Sequence, residues 1–205
     1  MINTVLIKSY APPPFDRREI LRYSGVRGDA PEICRLAESC ISEAEGKFSY
    51  RVCYSEFPVL LSDECADVGF AKIKSLSARK YFEGCDRMIL FAATVGLGID
   101  RLVARYASTS PSRSLLFQAI GAERIESLCD LFCDDMANKA VGEGYFARRR
   151  FSPGYGDIPL SLQKDIFDVL GCQKHLGVSL NESLLMSPTK SVTAFIGLSR
   201  SDGCS

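Results

Sequence analysis

The chain has 205 residues, 46% of them hydrophobic and 24% charged, which suits one globular domain, or one with an appended subdomain, able to bury a real core. Lys plus Arg and Asp plus Glu are equal at 25 each, so no global field recruits nucleic acid or an anionic lipid surface. No apolar run is long enough to span a bilayer, and Met1-Ile2-Asn3-Thr4 lacks the charged-then-apolar layout of a signal peptide, so a cytoplasmic protein is expected.

Residues 1–8 suit an edge strand, followed by the stiff connector Ala11-Pro12-Pro13-Pro14. Asp16 stands where it would cap a helix running to Tyr23 and ended by Gly25. Residues 31–44 form an amphipathic helix pattern with Ile33, Leu36, Ala37 and Ile41 on one side. Phe48, Tyr50, Val52 and Tyr54 alternate with polar or small residues, a strand signature, and residues 57–61 are expected to pair with that strand. Residues 70–82 read as helix, with Ile73, Leu76 and Phe82 inward.

The continuous apolar run 88–95 predicts a central strand covered on both faces. Gly96-Leu97-Gly98-Ile99-Asp100 and a helix through Tyr106 follow. Strand, Gly-x-Gly and helix also occur in dinucleotide loops, but the third glycine and the acidic residue after a second strand are missing. A tight turn, with or without a ligand beside it, is the other reading. Residues 112–146 read as a long helix with a break near Gly121, carrying the stripe Ile125, Leu128, Cys129, Phe132, Cys133 and Met136. Glu126 sits at the border of that stripe, either solvated or reaching toward the segment at residue 150. Strands and helices mix without a βαβα rhythm, so the fold class is α+β with a mainly antiparallel sheet.

None of the nine cysteines forms Cys-x-x-Cys, and without a secretion signal they read as reduced, small core hydrophobes. Cys129 and Cys133 share a helix face and offer half a metal site at most. The single histidine, His175, is far from them and reads as a surface or helix-end residue. One histidine also all but excludes a Ser-His-Asp triad. Cys204, next to the end, is expected to be an exposed thiol, reactive or inert. Arg148 and Arg149 read as a solvated helix end.

Arg150-Phe151-Ser152-Pro153-Gly154-Tyr155-Gly156-Asp157 stands apart. Pro153 fixes its own φ and biases Ser152 away from helix, and Gly154 removes a Cβ where a ligand or another backbone can approach. Arg150 offers a planar fork for a carboxylate, and Tyr155 offers a ring face and a hydroxyl. The same residues also make a plain Pro-Gly turn with a solvated arginine and a half-buried tyrosine.

The order Arg-x-x-Pro-Gly-Tyr, a helix from about Pro159, Leu180-Asn181-Glu182-Ser183-Leu184-Leu185-Met186-Ser187-Pro188 and a strand over 191–198 resembles the C-terminal activation domain of cobalamin-dependent methionine synthase. The resemblance covers roughly residues 118–198 and is weak before residue 90. It implies a single activation-type domain over 1–205, with 1–85 weakly matched and 86–205 carrying the ligand loop. The implied fold is a twisted, mainly antiparallel sheet flanked by helices, with S-adenosylmethionine in a shallow groove.

Carried over, the family's carboxylate-binding arginine falls on Arg150, and the loop positions lining the ligand fall on Ser152, Gly154 and Tyr155. The family's acid on the long helix falls on Glu126 or, without a gap, on Ser127; Glu126 is chosen because a carboxylate can hold the ligand ammonium. A second acid has Glu143 as its nearest candidate, one position out of register. Asp16 is a weak substitute for an N-terminal acid, and a C-terminal tyrosine has no counterpart. The cobalt-ligating Asp-x-His-x-x-Gly is absent, so cobalamin is expected on a partner.

The expected function is a stand-alone reactivation subunit that binds S-adenosylmethionine and supports reductive methylation of cob(II)alamin in a corrinoid methyltransferase, a split methionine synthase. A flavodoxin-like or ferredoxin-like protein would donate the electron. The alternative is a non-catalytic scaffold that docks on a corrinoid protein without the ligand. A third reading, an ordinary S-adenosylmethionine methyltransferase, lacks its glycine-rich loop and ribose-binding acid.

Overall fold

A computed structural model describes residues 4–26 and 30–200. Its spine is an antiparallel sheet of five strands, in the order β1 (Leu6–Ser9), β2 (Arg51–Pro58), β6 (Cys85–Thr94), β10 (Ser191–Ser199), β7 (Phe146–Ala147). Side chains of β6 alternate faces, as the period of two requires. Ile89, Phe91 and Ala93 enter one core, and Met88, Leu90 and Ala92 enter the other. Both faces are covered by helices, which is why the strand is apolar from Met88 to Ala93 while its sheet is antiparallel.

On the first face lie α1 (Arg17–Tyr23), α2 (Pro31–Ala44), α4 (Gly98–Tyr106) and α5 (Pro111–Gly142). On the second lie α3 (Leu76–Phe82), α6 (Gln163–Leu170) and α7 (Cys172–Leu176). Small strands complete the fold: β3 (Leu60–Leu61), β4 (Ala66–Asp67) and β5 (Lys72–Ile73) form one sheet, and β8 (Ser179–Leu180) pairs with β9 (Met186–Ser187).

The α+β class, the central strand and the Asp16 cap stand as read; the edge strand expected over 1–8 is observed at Leu6–Ser9, and residues 1–3 lie outside the described residues. The Asp16 carboxylate accepts from the amides of Arg18 and Glu19 at 2.9 and 3.1 Å. Other expectations are corrected. Residues 57–61 do not pair back on β2: Phe57 continues that strand, and Leu60–Leu61 turns away into the small sheet. The helix expected from residue 70 begins at Leu76, where the Ser75 hydroxyl caps it by accepting from the Ala78 amide. Leu76, in the first turn, is consequently exposed rather than inward.

On α2, Ala37 and Ile41 are buried, but Ile33 at the helix start is exposed. Helix α5 runs unbroken for 32 residues, about 48 Å at the standard rise. Gly121 does not interrupt it; a Cβ there would press on Ile99 and Lys190 side chains at 3.0 Å, so the residue serves close packing. The helix ends at Gly142, before Tyr145 and Phe146. Arg148 is therefore not at a helix end; its guanidinium donates to the carbonyls of Tyr81 and Glu83.

Gly98 explains the Gly-x-Gly segment. A Cβ would stand 1.9 Å from the Lys47 carbonyl oxygen, so the glycine admits a neighbouring backbone. The eight cysteines of the described residues are free, and Cys204 lies outside them. His175 is half-buried in the last turn of α7. No helix among the described residues is long and apolar enough to cross a membrane, and no cluster of three potential metal ligands occurs among them.

Candidate functional site

The free outer edge of β10 locates the site. Strand β7 pairs with β10 only at Leu198 and Ser199, and beyond it Phe151 bridges to Phe195. That bridge exchanges two backbone hydrogen bonds, Phe151 N to Phe195 O at 3.0 Å and Phe195 N to Phe151 O at 2.8 Å. Past this point the chain leaves the strand as the Arg150–Asp157 loop. A crevice of about 440 Å³ opens between this loop, the first residues of β10, Met186 and the start of α6.

The loop is held at both ends. Phe151 stacks on Tyr81 with ring centroids 5.1 Å apart and planes 20° from parallel. The Tyr81 hydroxyl bonds to the Arg149 carbonyl at 2.8 Å and accepts from the Gly197 amide at 3.0 Å. Burial pushes the Tyr81 phenol well above its usual range, so it stays protonated. At the other end, Asp157 accepts from the Ser75 hydroxyl at 2.5 Å and from the amides of Leu76 and Ser77 at 2.8 and 3.0 Å. The Ser75 hydroxyl first, then the Ser77 amide, hold its carboxyl far below the ordinary aspartate range. Between these anchors Pro153 is buried, and Gly154 adopts φ +89°, a conformation that excludes an ordinary side chain. The loop is preorganised.

Arg150 is the charged centre. Its Nη2 stands 2.6 Å from Glu126 Oε2, and its Nη1 stands 2.5 Å from Asp130 Oδ1. Glu126 thus reaches from α5 to the loop, the second of the two readings its border position allowed. Asp130, one turn further along α5, carries no sequence signal except the i,i+4 spacing from Glu126. Its side chain is 67% exposed, and that of Glu126 is 43% exposed, while only 25% of the arginine is open. Cys133 and Cys129 lie beneath this triplet; burial pushes both thiols up, with Arg150 pulling the other way, so neither is a reactive thiolate.

Of the residues singled out in the sequence, Arg150, Ser152, Tyr155 and Glu126 all line the crevice. Tyr155 stands at its mouth, 67% exposed, with its ring centroid 6.3 Å from that of Phe151. Gly154 shapes the loop and is not itself part of the lining. Glu143 is not brought to the crevice: it follows the last turn of α5 and pairs with Arg87 at 3.1 Å and Lys139 at 3.8 Å. Asp16 is spent on its helix cap. The Gly-x-Gly turn borders Lys47 and Ser49, not the crevice.

Three polar residues of the lining were not foreseen: Ser191 and Thr193 at the start of β10, and Gln163 at the start of α6. The Ser191 hydroxyl is tied to Thr94 Oγ1 and the Pro188 carbonyl at 2.8 Å each. Thr193 Oγ1 and Gln163 Oε1 are buried without a partner. Such groups are rare in native folds and are expected where a polar ligand completes them. The lining therefore offers one cation, one half-exposed carboxylate, an exposed ring and unsatisfied neutral hydrogen-bonding groups. This set fits a zwitterionic ligand with a further neutral polar and aromatic part.

Comparison with known proteins bears on this geometry. The family model described as "Vitamin B12 dependent methionine synthase, activation domain" matches residues 77–201. No curated protein matches the chain. Among solved structures, one titled "Crystal Structure of the MetH Reactivation Domain bound to AdoHcy" superposes with a TM-score of 0.70 at 17% identity, over 98% of this chain and 80% of that one. At that identity the likeness shows the fold.

Proposed function

The chain belongs to the family of vitamin B12-dependent methionine synthase activation domains, and on that premise we propose that it binds S-adenosylmethionine in the crevice beside Arg150. There it supports reductive methylation of cob(II)alamin held by a partner corrinoid methyltransferase, a split methionine synthase, with a flavodoxin-like or ferredoxin-like protein as electron donor. We read the 205 residues as one activation-type domain acting on that partner.

One observation carries the reading: the crevice joins the Arg150 fork, the Glu126 carboxylate and the Tyr155 ring on a loop anchored at both ends. Arg150 suits the ligand carboxylate as a bidentate donor, Glu126 suits the ammonium, and Tyr155 suits the adenine face. Bound S-adenosylmethionine would bring a methyl group on a sulfonium that is already a good leaving group. The demand on this chain is then positioning, and a lining without histidine or an activated nucleophile meets it. The likeness to a reactivation domain solved with AdoHcy supports the same ligand class.

Isothermal titration of the protein with S-adenosylmethionine and S-adenosylhomocysteine tests the first half, and saturable 1:1 binding is expected. The second half is tested by adding the protein to a cob(II)alamin-loaded methionine synthase module with reduced flavodoxin, where methylcobalamin absorbance should grow only when S-adenosylmethionine is present.

A second reading, a scaffold that docks without the ligand, is favoured by one observation. Asp130 and Glu126 already fill the Arg150 fork. Capture of the cobalamin module together with silent titrations would establish the scaffold and refute the first reading.

A further inference from the structure

Gln163 and Thr193 have no task in the carboxylate-and-ammonium scheme. Both residues line the crevice, Thr193 2% exposed and Gln163 7% exposed, and the side-chain oxygen of each is buried without a partner. The other orphaned side-chain atoms among the described residues are the Nε atoms of Arg87, Arg113 and Arg148. Each of those guanidiniums is satisfied through its terminal nitrogens. No such compensation exists for Gln163 and Thr193.

Their placement is directional. Thr193 shares the strand face of Phe195, which belongs to the core under α3, α6 and α7. Gln163 is the first residue of α6 on that same side. Glu126 comes from α5, on the opposite face. A ligand spanning the open edge of β10 therefore meets charged groups at the α5 end and neutral ones at the α6 end. A buried neutral amide and hydroxyl suit uncharged donors and acceptors, because a charge placed there would lack a counter-ion.

We propose that Gln163 and Thr193 form a hydrogen-bonding wall that reads the nucleoside end of an S-adenosyl ligand while Arg150 takes its amino-acid end. The proposal rests on the ligand assignment made above. The amide and the hydroxyl match either the ribose diol or the adenine amino group with its adjacent ring nitrogen, each pairing a donor with an acceptor.

The test is titration with S-adenosylhomocysteine of the wild-type protein, Thr193→Val, Gln163→Met, Thr193→Ser, Arg150→Ala and the double variant of Arg150→Ala with Thr193→Val, each paired with its melting temperature. Thr193→Val and Gln163→Met should each weaken binding roughly 3- to 10-fold, the net worth of one neutral hydrogen bond. Their melting temperatures should hold or rise, because an apolar isostere relieves the orphaned atom. Thr193→Ser should bind like wild type, and the losses from Arg150→Ala and Thr193→Val should multiply, as for separate ligand ends. Titration with S-inosylhomocysteine and the 2′-deoxy analogue separates the sources: whichever modification removes the difference between wild type and variants identifies the group read. Unchanged affinity in both apolar variants, or a clear fall in their melting temperatures, overturns the wall while leaving the ligand assignment intact. Absence of binding by the wild type overturns the assignment itself.

Discussion

Replacing Arg150 by alanine separates a binding residue from a structural one, because the structure sets different sizes for the two effects. If the guanidinium grips the ligand carboxylate through a charge-assisted pair, its removal forfeits about 1.5–3 kcal/mol of binding, roughly a 10- to 150-fold rise in Kd. The two carboxylates left behind then face the ligand's own carboxylate, which pushes the effect toward the upper end. The cost to the fold is small by comparison. Asp130 is 67% and Glu126 43% exposed, so neither is stranded away from water, and exposed pairs of this kind contribute about 0–1 kcal/mol.

Arg150→Ala should therefore melt close to the wild-type temperature while losing most of its affinity for S-adenosylhomocysteine in calorimetric titration. Arg150→Lys keeps the charge without the fork and should fall between the two. Equal Kd values for wild type and Arg150→Ala would refute the assignment. A collapse in stability would show that Arg150 holds the loop to α5 and is not a ligand group.

If a ligand carboxylate takes the Arg150 fork, Asp130, which is paired with it, competes for the same donor, so Asp130→Asn should tighten S-adenosylhomocysteine binding roughly 2- to 5-fold without destabilising the protein; unchanged or weaker binding counts against that competition. The Asp157 carboxyl titrates well below its unfolded value of about 3.9, so its contribution is in place above that pH and is lost as pH falls toward the folded value. Amide exchange over residues 152–158, corrected for its intrinsic pH dependence, should accelerate between pH 4 and 2 in the wild type. Asp157→Asn should show the fast rate already at neutral pH, and a flat acid profile in the wild type would contradict this. Phe132 is fully buried against the rings of Tyr54 and Phe91 at 5.2 and 4.7 Å, so Phe132→Ala should cost about 3–5 kcal/mol in urea unfolding, and a loss below 1 kcal/mol would place that helix face wrongly.

The sequence by itself determined what local chemistry dictates. Asp16 ahead of a helix, the uninterrupted apolar run over 88–95 and the α5 stripe report on spacing and capping, which act within a few residues. The Arg-x-x-Pro-Gly-Tyr loop was legible for the same reason, since proline and glycine restrict their own φ. Contacts between distant segments were decided only by the tertiary structure. Leu60 turns into a second sheet because β2 is flanked by β1 and β6. Gly121 reads as a helix breaker until the packing shows that a Cβ there would meet the Ile99 and Lys190 side chains at 3.0 Å. Glu143 and Glu126 look equally acidic in one dimension, yet only Glu126 stands on the turn of α5 that faces the loop. Asp130, Gln163 and Thr193 carry no motif at all; what marks them is the charge beside them or the partner they lack, and both are properties of packing.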